Sequence, residues 1–379
     1  MSPNFDRANR RAVRLADVTS TSALLPPVAR PRLGVVVDYA DDFRDAVADV
    51  VEYEALGADL VTVSEAYSFD AVSKLGFLAA RTERITLAAA ILPIYSRTPT
   101  LMAMTAATLD TISGGRFELG LGASGPQVIE GFHGVPFSAP LARTREIIEI
   151  ARAAWRGERI EHAGSQYRIP LPADQGTGLG KPLKMIGQTV RDRIPIHIAA
   201  LAPKGVAQAA EIAEGWIPLF FHPELGARVW GDPIAAGLAR RNASLPPLEL
   251  LVQLPVYVGP GHERALEGYR ARAALYIGGM GAKGANFYNT VVASMGFEAE
   301  AERIQDLYLA GDKAAAAAAV PEELLRATAL IGDEEHVRER VGAFRAAGAS
   351  SLIVQPLAPS REARIAHVAA VRGFLDELD

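Results

Sequence analysis

Five places in this chain combine a side chain able to move a proton or hold an anion with a main chain that leaves room for a ligand. Glu65 closes the apolar run Leu60–Val63, where a carboxylate can accept a hydrogen bond from a ligand or exchange a proton with one. Ser124 stands with Gly122, Ala123 and Gly125 beyond the apolar run Phe117–Leu121. A strand that dissolves into small residues lets a flat or anionic molecule approach the backbone. His133 lies in the Gly- and Pro-broken loop that follows, and His222 in a later loop. Leu201, Ala202 and Lys204 open a helix whose free amides and dipole suit a phosphate. Each has a plainer reading as a solvated acid, a tight turn, a structural imidazole or a surface lysine. Neither histidine has the spacing of a metal site, and no metal is expected.

The stretch around Ser124, GGRFELGLGASGPQVIEGFHGVPF, also holds a trap. Gly120, Gly122 and Gly125 fit the dinucleotide fingerprint G-x-G-x-x-G, which requires a helix to begin at those glycines. Gly131, Gly134, Pro136 and Pro140 argue against a continuous helix before about Leu141, so the Rossmann reading fails on its own condition.

These residues are carried by a repeating strand–helix cycle. Continuous apolar runs predict buried strands at Leu33–Val37, Leu60–Val63, Ile85–Leu92, Phe117–Leu121, Ile194–Ala200, Trp216–Phe220, Leu250–Val258 and Leu352–Gln355. Amphipathic helices follow, among them one from Asp41-Asp42 to Leu56 closed by Gly57, then Asp70–Arg81, Thr100–Ile112, Leu141–Trp155, Lys204–Ala213, Leu225–Arg240 and Glu362–Leu375. Alternation through the whole chain means a parallel sheet with helices outside, and about eight units is the number that closes a barrel. The expected fold is α/β, a (β/α)8 TIM barrel; a doubly wound open sheet is its rival. Residues 1–31, polar and closed by Pro26-Pro27 and Pro31, read as an N-terminal arm, and 32–379 as one barrel domain. Insertions fall at about 157–193, with a hairpin around Ile160–Ile169, and at about 259–332, mostly helical. Both are expected on the strand-end face.

Composition narrows the function class. The 379 residues are 49% hydrophobic and 22% charged, as in a globular protein with a large core. A net charge of −5 offers no footprint for nucleic acid or an anionic membrane. The absence of cysteine removes disulfides, thiolate metal sites and cysteine nucleophiles. No apolar run approaches the ~18 residues of a membrane span, and the basic N-terminus lacks the apolar segment of a secretory signal, so a cytoplasmic protein is expected.

GGRFELGLGASGPQVIEGFHGVPF, with SRTPTLMAMTAATLD before it and LYIGGMGAKGANFYN after it, resembles the bacterial luciferase-like superfamily. More narrowly it resembles the deazaflavin branch, often named after methylenetetrahydromethanopterin reductase. The likeness runs from about Leu33 to the C-terminus, insertions included. It implies a barrel that binds coenzyme F-420, an 8-hydroxy-5-deazaflavin, or FMN at the C-terminal strand ends. It further implies hydride transfer between the deazaflavin and a small organic substrate, and a homodimer. On the same resemblance Ala90–Ile91 is a cis peptide whose bulge backs the ring, and Glu65 is an acid facing it. Ser124, with the amides around Ala123 and Gly125, lies beside the ribityl chain. Tyr95, Arg97, Lys283 and Asn286 line the pocket or the coenzyme tail.

Three departures qualify the likeness. Ala66 stands where the glucose-6-phosphate dehydrogenases of the family carry a catalytic histidine, which argues against sugar phosphate oxidation. Leu201-Ala202 replaces glycines that relatives often have beside a phosphate. Ala123 replaces an arginine that FMN relatives often use, which tilts the choice toward F-420. An FMN-dependent monooxygenase and a non-catalytic flavin- or deazaflavin-binding barrel remain the alternatives.

Overall fold

A strand covered by helices outside and by other strands' side chains inside has no polar face to show, which is why these strands read as apolar runs. In the computed structural model, which describes residues 23–37 and 42–378, all eight runs are strands. They are β1 (Arg32–Val37), β2 (Leu60–Val63), β3 (Thr86–Ala89), β4 (Phe117–Gly122), β5 (Ile196–Ala199), β6 (Gly215–Ile217), β7 (Glu249–Val258) and β8 (Ser351–Pro356). Each pairs in parallel with the next. The ring then closes where β8 pairs with β1, Leu33 opposite Leu352 and Val35 opposite Val354. The fold is the expected TIM barrel. The proposed arm falls largely outside the described residues, as do Asp38 and Asp41. Of that arm, Leu25 packs against Gly348, and the Val28 carbonyl accepts from Arg345 Nε.

The helices around the ring are α1 (Phe43–Ala55), α2 (Ala71–Ala79), α3 (Pro99–Ile112), α4 (Pro140–Trp155), α5 (Pro203–Ile212), α6 (Gly226–Leu238), α7 (Glu334–Ala346) and α8 (Arg361–Asp376). Asp42, Asp70, Thr98, Asp333 and Ser360 cap α1, α2, α3, α7 and α8 by accepting from first-turn amides. Gly57, just past α1, takes φ +83°, the left-handed turn that ends a helix.

Two insertions depart from the plain cycle. The first is an αβ connection, so its root lies at the lower end of α4 and not on the strand-end face where it was expected. Its hairpin, His162–Ala163 against Arg168–Ile169, returns along α4 because Glu146 gathers the turn. That carboxylate accepts from the amides of Ser165, Gln166 and Tyr167 and from the Ser165 hydroxyl. The second, between β7 and α7, holds several helices and a strand, Leu330–Gly332, that pairs in parallel beside the upper end of β7.

Inside the ring the side chains form layers. Leu60, Ala88, Ile217, Leu251 and Ile353 fill the middle. Below them lies a polar plug from the strand starts, absent from the sequence reading. Arg32 Nη1 donates to Glu118 at 2.8 Å and Nη2 to Glu249 at 3.0 Å, and the buried His197 ring meets Glu118 at 2.8 Å. Burial alone would raise the Glu118 carboxyl, but the His197 ring and the Arg32 guanidinium outweigh it and hold the group well below the usual carboxylate range.

A carboxyl with a depressed folded pKa contributes stability above its unfolded value and loses it as pH falls toward the folded one. Wild-type protein should therefore lose stability progressively below about pH 4.5, the unfolded value of Glu118. Glu118→Gln should be less stable by about 3 kcal/mol at pH 7, because it takes from the part-buried Arg32 guanidinium the nearer of its two carboxylates. Its acid limb should be flatter in urea melts run between pH 7 and 3. Parallel limbs for the two proteins would mean that Glu118 does not carry the dependence.

Candidate functional site

The upper end of β3 is where the barrel wall departs from regular geometry. The expected strand Ile85–Leu92 is split into Thr86–Ala89 and Leu92–Pro93, with a cis peptide between Ala90 and Ile91, the bond expected from the resemblance. The bulge is tied on both sides. Ala90 N donates to the Val63 carbonyl at 2.9 Å and Glu65 N to the Ile91 carbonyl at 3.3 Å, while Ile94 N donates to Gly122 on β4 at 3.0 Å.

What admits the bulge is a row without side chains. Glu118, Gly120 and Gly122 alternate along β4 and so point inward together. A Cβ on Gly120 would sit 2.0 Å from the Ala89 carbonyl oxygen, and one on Gly122 would sit 2.8 Å from the Ile91 side chain. Ala90 and Ile91, both half-buried, thus form an apolar shelf in the barrel mouth.

Glu65 sits at the end of β2 beside this shelf, nearly buried. Its carboxylate receives Arg97 Nη1 at 2.7 Å, Arg97 Nη2 at 3.0 Å and the Ala71 amide at 3.1 Å. Arg97 also reaches Asp70 at 2.9 Å. The clamp joins the end of β2, the start of α2 and the loop before α3. Glu65 is therefore anchored by its carboxylate, a pairing across 32 residues that the sequence reading placed on two unrelated roles.

Beyond β4, Ser124 is exposed and takes φ +58°, a left-handed turn that swings the chain off the strand. Ala123 is half-buried, and Gly125 caps a helix of six residues, Pro126–Gly131. A helix does begin beside the third glycine, contrary to the sequence reading, because Gly131 stops it only after six residues. His133 follows, half-buried with its ring edge-on to Phe132, and its Nε2 is enclosed without a partner. Tyr67 and Phe132 stand exposed on the rim, their rings 6.3 Å apart. Neither aromatic was singled out from sequence.

The remaining candidates are dispersed. Leu201 and Ala202 precede α5, whose first turn has no side-chain cap. Lys204 lines an open groove of about 480 Å3 between α4 and α5, with Arg145, Glu211 and Arg240, on the barrel's outer flank. His222 is buried, its Nδ1 3.0 Å from Glu224, which also takes Arg340 at 2.6 Å. Burial raises the Glu224 carboxyl, but His222 and Arg340 prevail and pull it down to about 2. Tyr95 is buried and donates to the Ser138 carbonyl, and Lys283 pairs with Asp306 at the surface. Asn286 is buried as a brace, capping the helix Phe287–Ser294 and donating to the carbonyls of Tyr276 and Ile277. Among the described residues no group of three or more His, Asp or Glu side chains is arranged to hold a metal ion. No helix among them is long and apolar enough to cross a membrane.

Comparison with known proteins agrees with this architecture. The family model of luciferase-like monooxygenases matches residues 22–351. A protein of Mycobacterium tuberculosis named as a coenzyme F-420-dependent oxidoreductase is 40% identical over 308 residues, 80% of this chain and 88% of its own. The 5,10-methylenetetrahydromethanopterin reductase of Archaeoglobus fulgidus is 27% identical over 320 residues, 82% of this chain and 90% of its own. The solved coenzyme F-420-dependent tetrahydromethanopterin reductase of Methanopyrus kandleri shares the fold, with a TM-score of 0.74 at 22% identity over 90% of this chain and 97% of its own.

Two substitutions test the wall. Gly120→Ala should destabilise by about 3 kcal/mol or move the bulge, since its new methyl group meets backbone, whereas Gly131→Ala has open space and should stay within about 0.5 kcal/mol. Equal melting midpoints would show that the shelf does not depend on the glycine row. Arg97→Ala should cost about 3 kcal/mol by leaving Glu65 nearly buried without its cation. Adding Glu65→Gln should recover part of that loss in urea unfolding. A double variant no more stable than Arg97→Ala would mean that the carboxylate is not stranded.

Proposed function

This chain belongs to the luciferase-like monooxygenase family, and on that premise we propose that it is a coenzyme F-420-dependent oxidoreductase that moves hydride between the deazaflavin and a small organic substrate. The observation that carries the reading is the shelf: an apolar surface at Ala90 and Ile91, let into the mouth by two glycines whose side chains would fill it. A planar ring needs such a flat, side-chain-poor backing. The residues fit the group in other respects. Ser124, exposed on its left-handed turn, and Ala123 leave the space beside β4 open for the ribityl chain. The uncapped start of α5, at Leu201 and Ala202, leaves free amides for a phosphate. Lys204 is in the first turn of that helix, but its side chain lines the outer groove and gives the phosphate no support.

When bound, the deazaflavin supplies two-electron hydride chemistry; the protein orients it and keeps water away. Glu65, fixed by Arg97, walls the ring side, and His133, with its unpartnered Nε2, is the nearby candidate for handling a proton. The name of the Mycobacterium tuberculosis relative supports F-420 over FMN, as does Ala123 where an arginine would hold a flavin phosphate. A second copy of the chain is a natural partner for α2 and α3, which expose Phe77, Leu101, Met104 and Ile112. We place the working protein in the cytoplasm as a homodimer.

Fluorescence titration of the protein with F-420 and with FMN decides the coenzyme. F-420 should bind in the micromolar range or tighter and FMN at least tenfold more weakly. Ser124→Arg should abolish F-420 binding while leaving the melting temperature within a few degrees. Tighter FMN binding would overturn the deazaflavin assignment, and undiminished F-420 affinity in Ser124→Arg would move the site away from β4.

A further inference from the structure

In an eight-stranded ring β3 faces β7, so the wall opposite the Ala90–Ile91 shelf is built from the ends of β6, β7 and β8. Arg272 enters this wall from the helix His262–Ala274 of the second insertion. Its Nη1 donates to the side-chain oxygen of Gln355. Gln355 lies two residues beyond Ile353 on β8, and Ile353 packs inside the barrel, so Gln355 points into the mouth above it.

Arg272 differs from the other arginines that pack against the barrel in how little of its fork is used: Arg116 and Arg241 also lack an ion pair, but several carbonyls take up their donors. Arg32, Arg97, Arg152, Arg340 and Arg364 all hold carboxylates. Among the described residues Arg272 is in no ion pair, and its partner is a neutral amide oxygen. A guanidinium carries five donors in a fixed fork, and one neutral acceptor leaves most of them for an incoming anion. Beside it stands an aromatic group. Tyr276, in the π-helical turn Leu275–Gly279 that continues this helix, lies 5.0 Å edge-on from Tyr288 and 6.0 Å edge-on from Phe220, just beyond β6.

The geometry points to Arg272 as the contact for a carboxylate on the substrate, whose flat or apolar body packs on Tyr276, Phe220 and Tyr288 opposite the shelf. This rests on the deazaflavin reading of the mouth. A carboxylate suits the fork of the guanidinium, and the aromatic edges reward a planar or hydrocarbon body next to it. The substrate class is thus an organic acid, reduced or oxidised at a carbon within reach of the ring.

The test is calorimetric titration of the F-420-loaded protein with trans-cinnamate and with trans-cinnamamide, probes of one shape that differ in charge. Wild-type protein should bind the acid roughly tenfold to a hundredfold more tightly than the amide, the range expected for charge-assisted hydrogen bonds. Arg272→Gln should bring the ratio near one with F-420 affinity unchanged. Arg272→Lys keeps the charge, and should keep a preference for the acid if the neutral variant proves unstable. Equal binding of the two probes by wild-type protein, or binding of neither, overturns the inference. So does an Arg272→Gln variant that loses F-420 affinity yet keeps the preference. A wild-type protein that fails to bind F-420 at all would instead sink the reading of the mouth.

Discussion

Between β3 and β4 the wall of the barrel is set by contact between a carbonyl and a missing side chain. The Ala89 oxygen occupies the place of a Cβ on Gly120, and Ile91 covers Gly122 one pair further up. A side chain at position 120 meets backbone, which cannot give way, whereas one at position 122 meets the Ile91 side chain and would push it out of place. The position of the shelf, the hydrogen bonds of Ala90 and Ile91 to β2, and the start of the loop after Gly122 all depend on that fit. Glu65 then inherits its place, since its own amide bonds to Ile91 while its carboxylate is drawn to Arg97.

The two ends of the barrel solve opposite problems. At the lower end the ring is sealed by charges that satisfy one another, Arg32 between Glu118 and Glu249, with His197 completing the group. A sealed end contributes rigidity and excludes water. At the upper end the mouth is left half-buried at Ala90, Ile91, Ala123 and Gln355. Strand ends on that face can vary without disturbing the layers beneath, because Leu60, Ala88, Ile217, Leu251 and Ile353 already close the middle.

Much of this was legible in the sequence, for a physical reason. A strand buried on both faces writes itself as an apolar run, so all eight strands and the closed ring could be read, as could the helix start at Asp42 and the turn at Gly57. The cis bond at Ala90–Ile91 was not written in periodicity or propensity; only the family resemblance located it. Contacts between distant residues stayed hidden. Nothing local in Glu65 announces Arg97, nor in Asn286 its role as a brace, and the plug of Arg32, Glu118 and His197 draws on three strands far apart in the chain. One signal was available and missed: Glu118 alternates with Gly120 and Gly122, so a charge inside an apolar strand had to face the barrel interior and find a partner there.

The mouth therefore has two unlike walls, and the difference bears on how chemistry is shared between them. The wall of β2–β4 is made of backbone, glycine and a carboxylate already saturated by Arg97 and the Ala71 amide. Both oxygens of that carboxylate are already taken by hydrogen bonds. What such a wall does well is hold a flat surface still. The wall of β6–β8 is made of side chains, Phe220, Tyr276, Tyr288 and Arg272, three of them brought in by the second insertion. Side chains carried on an insertion can change without touching the barrel's hydrogen-bond ladder, whereas the glycine row cannot. On the proposed reading, holding the coenzyme would thus fall to the backbone-built side, and recognition of the substrate to the insertion.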